Sequence, residues 1–334
     1  MKDEVIIPGL GDLRARRFEG RSDYEAMSRI SQRSWLADGF EWIKSAKEIE
    51  ASFVEIRSWN PEENLVFIEA GDEVIGYGEF HSEQADAVNT SFLTNVHILP
   101  EWRGKGIREV VLRHIEGQLL EHARKSNLKG FFETWANEAP NEWRDVLLRD
   151  GFEPHFYVLE MSHSSLDQVP EHPLPAGIEV RQVPPEKYRD VWEGMRTSFR
   201  NEPWFSEELF DEDHFKAWMA KPNFEPGLWQ TAWDGDRIVG NVQNFINTEE
   251  NQLFGKRVGH TEEIWVAQDW QRKGVAKAII SRSLRHLAKL GMTEASLDMN
   301  AHNISGALQL YTSLGYKPVH QFVWLRKPLP PTEG

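Results

Sequence analysis

The chain contains 334 residues, of which 40% are hydrophobic and 27% charged, and this size and composition favour two globular domains over one. It has no cysteine, which excludes disulfides, thiolate metal sites and an acyl-enzyme thioester, so that any acyl transfer has to be direct. A net charge of -15 disfavours nucleic acids and anionic membranes as partners, and the lack of a long apolar run predicts a cytoplasmic protein without a membrane span.

The first half of the chain alternates predicted strands and helices. A β-hairpin is expected over residues 66–78, with its turn at Gly71-Asp72. A strand, a short loop and a long helix follow, and the apolar residues of this helix recur at helical spacing: Ile107, Val111, Ile115, Leu119 and Ala123. A strand over residues 131–135 and a segment that ends at Gly151-Phe152 complete this half.

The same plan returns after a linker. Residues 162–177 contain three prolines and no apolar periodicity, so we interpret them as the connection between domains at residues 1–161 and 178–334. In the second domain a hairpin turns at Asp234-Gly235, a long helix stops at Gly291, and a last helix ends before Gly315. The chain is therefore an internal repeat of one mixed α/β unit.

The loop that opens the long helix of the second domain carries the strongest chemical signal. It reads Gln271-Arg272-Lys273-Gly274-Val275-Ala276, which fits the pattern Gln/Arg-x-x-Gly-x-Gly/Ala directly after a strand. Small residues let a ligand approach the backbone, successive amides form an anion-binding concavity, and the helix N-terminus adds a positive dipole. These properties suit a pyrophosphate, while the hexapeptide alone is equally compatible with a basic helix cap.

Further residues extend the match beyond the loop. Asn303, the helix with Ala307 and Tyr311, and Leu314-Gly315-Tyr316 follow at distances typical of one family. With them the chain resembles the GNAT superfamily of N-acetyltransferases, strongly over residues 178–327 and more weakly over residues 13–161, and its tandem layout is similar to that of mycothiol synthases. The resemblance implies an α/β fold in each domain, a twisted mixed sheet flanked by helices, in which two parallel strands splay apart to admit the pantetheine arm of acetyl-CoA.

The resemblance also implies contacts with acetyl-CoA in the second domain. Backbone groups of Ile264 and Val266 would meet the pantetheine arm. The amides of the loop and the first helical turn would hold the pyrophosphate: Gln271, Arg272, Lys273, Gly274, Val275, Ala276 and Lys277. Asn303 would bind the cofactor arm, and a role as helix N-cap is compatible with this. No metal is expected, because the histidines show no zinc-type paired spacing.

Tyr311 is the candidate general acid. It lies four residues before Gly315, where many members of the family place a tyrosine that protonates the departing thiolate of coenzyme A. A phenol, with a pKa near 10, stays protonated at neutral pH and can donate that proton. The alternative is a core tyrosine on an amphipathic helix.

His260 and Glu262 are the candidates for the base that removes a proton from the acceptor amine. They are two residues apart on one predicted strand, so that their side chains share a face and Glu263 points to the other. His260 precedes Gln271 by eleven residues, where several family members carry a catalytic glutamate, and Glu262 would act directly or through a water. Solvated polar residues at a strand end are the alternative for both.

The first copy lacks the residues expected to do chemistry. Arg108 stands at the place of Ala276, Leu147 at the place of Tyr311 and, counted back eleven residues from Arg103, Phe92 at the place of His260. We therefore predict a non-catalytic N-terminal domain. Its amides would still hold a coenzyme A if Arg108 pairs with the phosphates rather than crowding them.

The resulting hypothesis is acetyl-CoA-dependent N-acetylation of the primary amine of a small molecule by the second domain. Residues 201–213 interleave acidic and aromatic side chains, which suits either a lid for a cationic amine or an amphipathic surface helix. Two alternatives remain: a non-catalytic acyl-CoA-binding regulatory protein, and an N-acetyltransferase of proteins or peptides, which would need an open groove.

Overall fold

The computed structural model describes residues 4–54, 59–86, 88–302 and 306–330, with Glu4, Val54 and Glu208 described in backbone only. The chain divides into two compact units, one of residues 1–156 with 322–334 and one of residues 157–321. Within the described ranges, no helix combines the length and the apolar character that a bilayer crossing requires.

The first unit contains a mixed sheet flanked by helices. Its strands are β1 (Glu4–Val5), β2 (Arg14–Arg16), β3 (Leu65–Ala70), β4 (Glu73–Gln84), β5 (Asn89–Ile98), β6 (Lys129–Asn137) and, from residue 322 onward, the last strand of the chain, β13 (Lys317–Pro328). They neighbour one another in the order β1-β2-β3-β4-β5-β6-β13, and among these pairs β5 and β6 run parallel. The helices are α1 (Ser22–Ala37), α2 (Ala46–Val54), α3 (Pro61–Asn64), α4 (Ile107–Lys125) and α5 (Glu142–Arg149).

The second unit repeats this architecture. Its strands are β7 (Glu153–His163, from residue 157), β8 (Ile178–Arg181), β9 (Gln230–Asp234), β10 (Arg237–Phe245), β11 (Val258–Val266) and β12 (Glu294–Asn300). Their order is β7-β12-β11-β10-β9-β8, and the parallel pair is β11 with β12. The helices are α6 (Tyr188–Phe199), α7 (Glu212–Ala220), α8 (Thr248–Phe254), α9 (Val275–Lys289) and α10 (Ala307–Ser313).

In each unit the parallel strands pair only at their beginnings. The β5–β6 ladder runs from Asn89 to Leu93, although β5 continues to Ile98. The β11–β12 ladder covers residues 258–260, although β11 continues to Val266. The mixed α/β fold with a parted parallel pair in each of two repeats is thus confirmed.

The strand that closes each sequence repeat lies in the unit of the other repeat. β7 ends the first repeat in the chain, and its residues 158–163 pair with β12 in the second unit. β13 ends the second repeat, and its residues 322–328 pair with β6 in the first unit. The compact units therefore differ from the sequence repeats by one strand each, and the domain boundaries at 161 and 178 stay predictions.

The sheet of the second unit is covered on both faces. Helix α9 packs one face with Ile279, Ile280, Leu284 and Leu287. The other face carries an aromatic layer of Trp192, Trp218, Trp229, Trp233 and Trp265. Truncating one such buried tryptophan to alanine typically costs about 3–5 kcal/mol, so this layer holds β10 and β11 firmly against α6.

Candidate active site

The loop between β11 and α9 has the backbone of an anion-binding concavity. Arg272 and Gly274 adopt left-handed conformations, with φ of +60° and +90°, on either side of Lys273. Gly274 is the N-cap of α9, no side chain caps this helix N-terminus, and its first turn contains no acidic residue. Amides at such a terminus lack intrahelical acceptors and favour a bound anion.

The structure brings the predicted phosphate-binding residues together around this helix N-terminus, with one difference in role. The backbone amide of Gln271 donates to the Gln268 carbonyl at 3.3 Å, and its side-chain Nε2 donates to the Val266 carbonyl at 3.1 Å. Gln271 therefore ties the loop to the end of β11. Lys273 lies over the ring of Trp270, with Nζ 4.7 Å from the ring centroid. Asn303 lies outside the described residues.

A β-bulge at Glu263 shapes the strand that leads to the loop. Glu263 has a φ of +47°, and the β10–β11 register shifts between Asn241 and Gln243, so that Glu263 and Ile264 face the single residue Val242. Bulges of this kind re-aim side chains and end regular pairing. Ile264 and Val266 lie beyond the last residue of β11 that pairs with β12.

The bulge corrects one sequence alignment between the two repeats. In the first repeat Gly76 pairs with Ile98, and in the second Gly240 pairs with Val266, so these two pairs are equivalent. Three residues further along β4, Glu79 pairs with Asn95. Three residues further along β10, Gln243 pairs with Glu262. Leu93, and not Phe92, therefore occupies the place of His260, because Glu263 is an extra residue in the second repeat.

The alignment also places Asn95, which has no titratable group, opposite the position of Glu262. The first repeat thus lacks a base at both positions.

His260 is held in a packed, neutral state. Its Nδ1 lies 2.9 Å from the Ser296 hydroxyl, its ring stacks on Phe245 with centroids 4.4 Å apart, and Nε2 is 3.9 Å from a Glu250 carboxylate oxygen. Burial lowers the pKa of His260 to about 4. His260 also belongs to the last residue pair of the parallel ladder, before the strands part.

Glu262 lies two residues further along, where the strands have parted. Burial raises the pKa of this half-buried carboxyl well above its usual value, and the nearby charges of Asp298, Glu263 and Glu160 raise it further. A carboxyl group with a raised pKa is suited to exchange protons near neutral pH.

Two of these acidic neighbours were missed by the sequence reasoning. Asp298 on β12 is directly opposite Glu160 on β7, and burial together with the charge of Glu160 raises the pKa of Asp298 to about 7. Asp298 is nevertheless accessible to solvent, and it follows Ser296, the last residue of β12 that pairs with β11. The alternation along β12 would have revealed Asp298, but Glu160 precedes the linker and reaches this unit only through β7.

Tyr311 on α10 lies close to Glu262. Its side chain is 8% exposed, and burial raises the pKa of the phenol above its usual value, with further contributions from the charges of Glu262 and Glu202. Glu202 follows α6 and accepts a hydrogen bond from Asn300 Nδ2 at 3.1 Å, at the end of β12. Tyr311, Glu262 and Glu202 thus converge from a helix, a strand and a loop.

A second tyrosine supports this arrangement. Tyr316 is fully buried, its ring centroid is 6.0 Å from that of Tyr311, and its hydroxyl lies 2.8 Å from Thr261 Oγ1. Thr261 in turn bonds the Ser296 carbonyl at 3.1 Å. The hydroxyl bridge holds Tyr316 on β11, and the ring of Tyr316 packs against that of Tyr311.

Acidic residues of the segment 201–213, which the sequence left open between a lid and a surface helix, have structural contacts. Asp211 caps α7 by accepting from the amides of Asp213 and His214, and Glu207 forms ion pairs with Arg196 and Arg200. Glu202, also in this segment, bonds Asn300 and contributes to the raised pKa of Tyr311. The residues described contain no cluster of three or more His, Cys, Asp or Glu arranged to hold a metal ion.

Comparison with known sequences gives two matches along the chain. The profile of the acetyltransferase (GNAT) family matches residues 27–145 and again residues 188–316. The mycothiol acetyltransferase of Kocuria rhizophila is 24% identical over 304 residues, which cover 89% of this chain and 93% of that protein. The mycothiol acetyltransferase of Streptomyces scabiei is 24% identical over 306 residues, covering 90% of this chain and 92% of that protein.

Solved structures share the fold over nearly the whole chain. A GCN5-related N-acetyltransferase from Sphaerobacter thermophilus superposes with a TM-score of 0.71 at 22% identity, covering 96% of this chain and 97% of that one. A tandem GNAT protein from the clavulanic acid biosynthesis pathway superposes with a TM-score of 0.68 at 12% identity, covering 96% of this chain and 100% of that one. The repeated architecture is therefore that of a tandem GNAT protein.

Proposed function

Because the chain belongs to the acetyltransferase (GNAT) family and is an N-acetyltransferase, we propose that its C-terminal repeat transfers the acetyl group of acetyl-CoA directly to the primary amine of a small molecule. One observation carries the proposal. Where β11 and β12 part, the N-terminus of α9 has no side-chain cap, and Tyr311 lies close to Glu262. This arrangement supports an anion-binding loop that acts together with Tyr311 as proton donor and Glu262 as proton acceptor.

The residues of the C-terminal loop fit the pyrophosphate of coenzyme A. No atom lies within 4 Å of the point where a side chain at Gly274 would begin, so the backbone there is open to a ligand. The amides of residues 272–277 would hold the phosphates, and Lys277 adds a positive charge in the first turn of α9. Since the Val266 carbonyl already accepts from Gln271, Ile264 is the better candidate for a backbone contact with the pantetheine arm.

Glu262 is the proposed base. It lies past the end of the parallel ladder, whereas His260 lies within the ladder and is engaged with Ser296 and Phe245. In direct transfer the acceptor nitrogen bonds to the acetyl carbon as the carbon–sulfur bond breaks. The proton of the nitrogen passes to Glu262, directly or through a water, and the phenol of Tyr311 supplies a proton to the departing sulfur. Acetyl-CoA contributes the acetyl group as an activated thioester.

The charges around the cleft support a cationic acceptor. Glu160, Glu202, Glu262 and Asp298 come from four different segments, and they raise one another's pKa or that of Tyr311. Carboxylates collected in this way attract an ammonium group and lower the cost of holding it before it is deprotonated. A small primary amine satisfies this environment.

The activity can be tested by following thiol release from acetyl-CoA with a panel of small primary amines, with mass spectrometry of the products. The matched controls are the same amines already acetylated on nitrogen. We expect release only with the unmodified amines, together with an acetylated product. Binding of acetyl-CoA without release to any amine would contradict the proposal, and transfer restricted to peptides would contradict the small-molecule acceptor.

A further inference from the structure

The N-terminal repeat has kept the backbone of the phosphate-binding loop. Gly104 and Gly106, with φ of +70° and +76°, correspond to Arg272 and Gly274 in the C-terminal repeat. Helix α4 begins after Gly106 as α9 begins after Gly274. Judged by its backbone alone, this loop would accept a second coenzyme A.

A carboxylate of the protein already occupies this loop. The amide of Gly104 donates to Glu142 Oε1 at 2.6 Å. Glu142 is the first residue of α5 and stands nine residues before Gly151; the residue nine before Gly315 in the C-terminal repeat is Gly306. The C-terminal repeat therefore has no side chain at the position from which Glu142 reaches the loop.

Two paired arginines, of which Arg108 is buried, complete the closure. Arg108, at the place of Ala276, is 2% exposed and donates from Nη2 to Asp38 Oδ2 at 2.9 Å and to Ser34 Oγ at 2.8 Å. Arg103 Nη1 donates to Asp38 Oδ1 at 2.8 Å, and Arg108 Nη1 is 3.6 Å from Glu142 Oε2. Two cations are balanced by two carboxylates, so an incoming pyrophosphate would meet Glu142 at the amide it needs and would find Arg103 and Arg108 already paired.

The parted strands of the N-terminal repeat are also filled. Phe40 lines the remaining cavity together with residues of β5 and β6, and Trp42 and Trp135 pack beside it, with ring centroids 4.4 Å apart for Phe40 and Trp42 and 5.3 Å apart for Trp42 and Trp135. The cavity that remains, lined by Trp35, Arg108 and their neighbours, measures about 10 Å³. This space is about that of a single water molecule and excludes a pantetheine arm.

We infer that the N-terminal repeat has closed its acyl-CoA site from within, Glu142 taking the place of the phosphates and the aromatic side chains that of the pantetheine arm. The chain then binds one acyl-CoA, in the C-terminal repeat. This count rests on the proposed function of the C-terminal repeat, whereas the closure of the N-terminal repeat is independent of it.

Calorimetric titration of the full chain with acetyl-CoA, combined with hydrogen exchange with and without the ligand, tests the inference. We expect one site per chain and protection around residues 264–277, with no ligand-dependent protection around residues 96–108. Two sites per chain, or protection of the loop at 103–108, would overturn the closure. No binding at all would contradict the proposed function of the C-terminal repeat while agreeing with a closed N-terminal one.

The Gly274→Glu variant separates the two repeats in the same experiment. It places a carboxylate in the C-terminal loop, and if the N-terminal site is closed, the variant retains no acetyl-CoA binding. Residual binding with protection at residues 103–108 would show that the N-terminal loop opens to the ligand and would refute the inference.

Discussion

The loops at residues 103–108 and 271–276 have the same backbone and opposite chemical states. Both combine left-handed residues with the start of a long helix, and both carry a lysine over a tryptophan ring, Lys105 on Trp102 and Lys273 on Trp270. In the first loop the carboxylate of Glu142 accepts a hydrogen bond from the amide of Gly104, and Arg108 forms a buried ion pair with Asp38. The comparison teaches that loop geometry makes an anion site possible, while neighbouring side chains decide whether a ligand can use it.

The clefts next to the loops differ in the same way. In the N-terminal repeat, where Leu147 and Asn95 stand at the positions of Tyr311 and Glu262, the space is filled by aromatic rings. In the C-terminal repeat, several carboxyl groups lie near a buried phenol, and burial together with their mutual charge raises the pKa of Glu262 and of Asp298. Collecting like charges in this way costs stability, and such clusters are typical of sites that act on a ligand.

The largest expected effect is the loss of acetyl-CoA binding on substitution of one loop glycine in the C-terminal repeat, whereas the equivalent substitution in the N-terminal repeat should have no such effect. Gly274→Glu should abolish binding of acetyl-CoA, because the new carboxylate repels the phosphates at the N-terminus of α9. Gly106→Glu is the matched control: it has a similar left-handed backbone and equally open surroundings, so it carries the same strain. Titration calorimetry should show loss in the first variant and retention in the second, and equal losses would contradict the asymmetry.

Next in size is the effect of removing the proposed acid. Tyr311→Phe should lower kcat by about 10-fold to 1,000-fold with little change in acetyl-CoA affinity, because proton donation matters in the transition state. Tyr316→Phe is the control, since it removes the hydroxyl bonded to Thr261 and should alter stability more than kcat. Steady-state kinetics of both variants decide the matter, and an unchanged kcat in Tyr311→Phe would exclude it as the acid.

The base can be identified from the pH dependence of kcat/KM. Because the pKa of Glu262 is raised, kcat/KM of the wild type should decrease as the pH is lowered and this carboxyl becomes protonated. This acidic limb of the pH profile should lie well above pH 4.5. Glu262→Gln should lower kcat/KM about 100-fold or more and remove the limb.

His260→Ala, which affects a group that is already neutral at pH 7, should keep the limb. If His260→Ala removed the limb and Glu262→Gln kept it, His260 would be the base.

The smallest effect concerns stability. A carboxyl whose pKa is higher in the folded than in the unfolded state contributes to the free energy of unfolding at low pH. For Asp298 this contribution is lost as the pH rises through about 7. Asp298→Asn should therefore raise Tm by a few degrees, as an order of magnitude, at pH 8 and leave it unchanged at pH 4. Asp236→Asn, at an exposed turn, serves as control, and equal shifts at both pH values would contradict the cluster.

The sequence predicted local features of the C-terminal repeat well. The long helix after the loop, its end at Gly291 and the hairpin turn near Gly235 follow from periodicity and turn residues, and the structure contains each of them. Tyr311 is proposed from its distance to Gly315, which is set within one helix and its cap. Such features depend on residues close together in the chain.

Alignment by counting failed at the bulge. The sequence around Glu263 does not predict a bulge, because glutamate rarely adopts a left-handed conformation. The position of the extra residue is set by the pairing of β11 with β10. The count was therefore one residue out, and Phe92 was matched with His260 in place of Leu93.

By itself the sequence determined the repeat and the mixed α/β class, and it predicts a phosphate-binding loop and direct acyl transfer, since periodicity, spacing and the lack of cysteine are properties of the chain. Only the tertiary structure decided that Glu160 joins the C-terminal cleft and that Glu142 closes the N-terminal loop. The physical reason is that backbone ladders and carboxylate–amide bonds form between distant segments, and neither requires a distinctive local pattern.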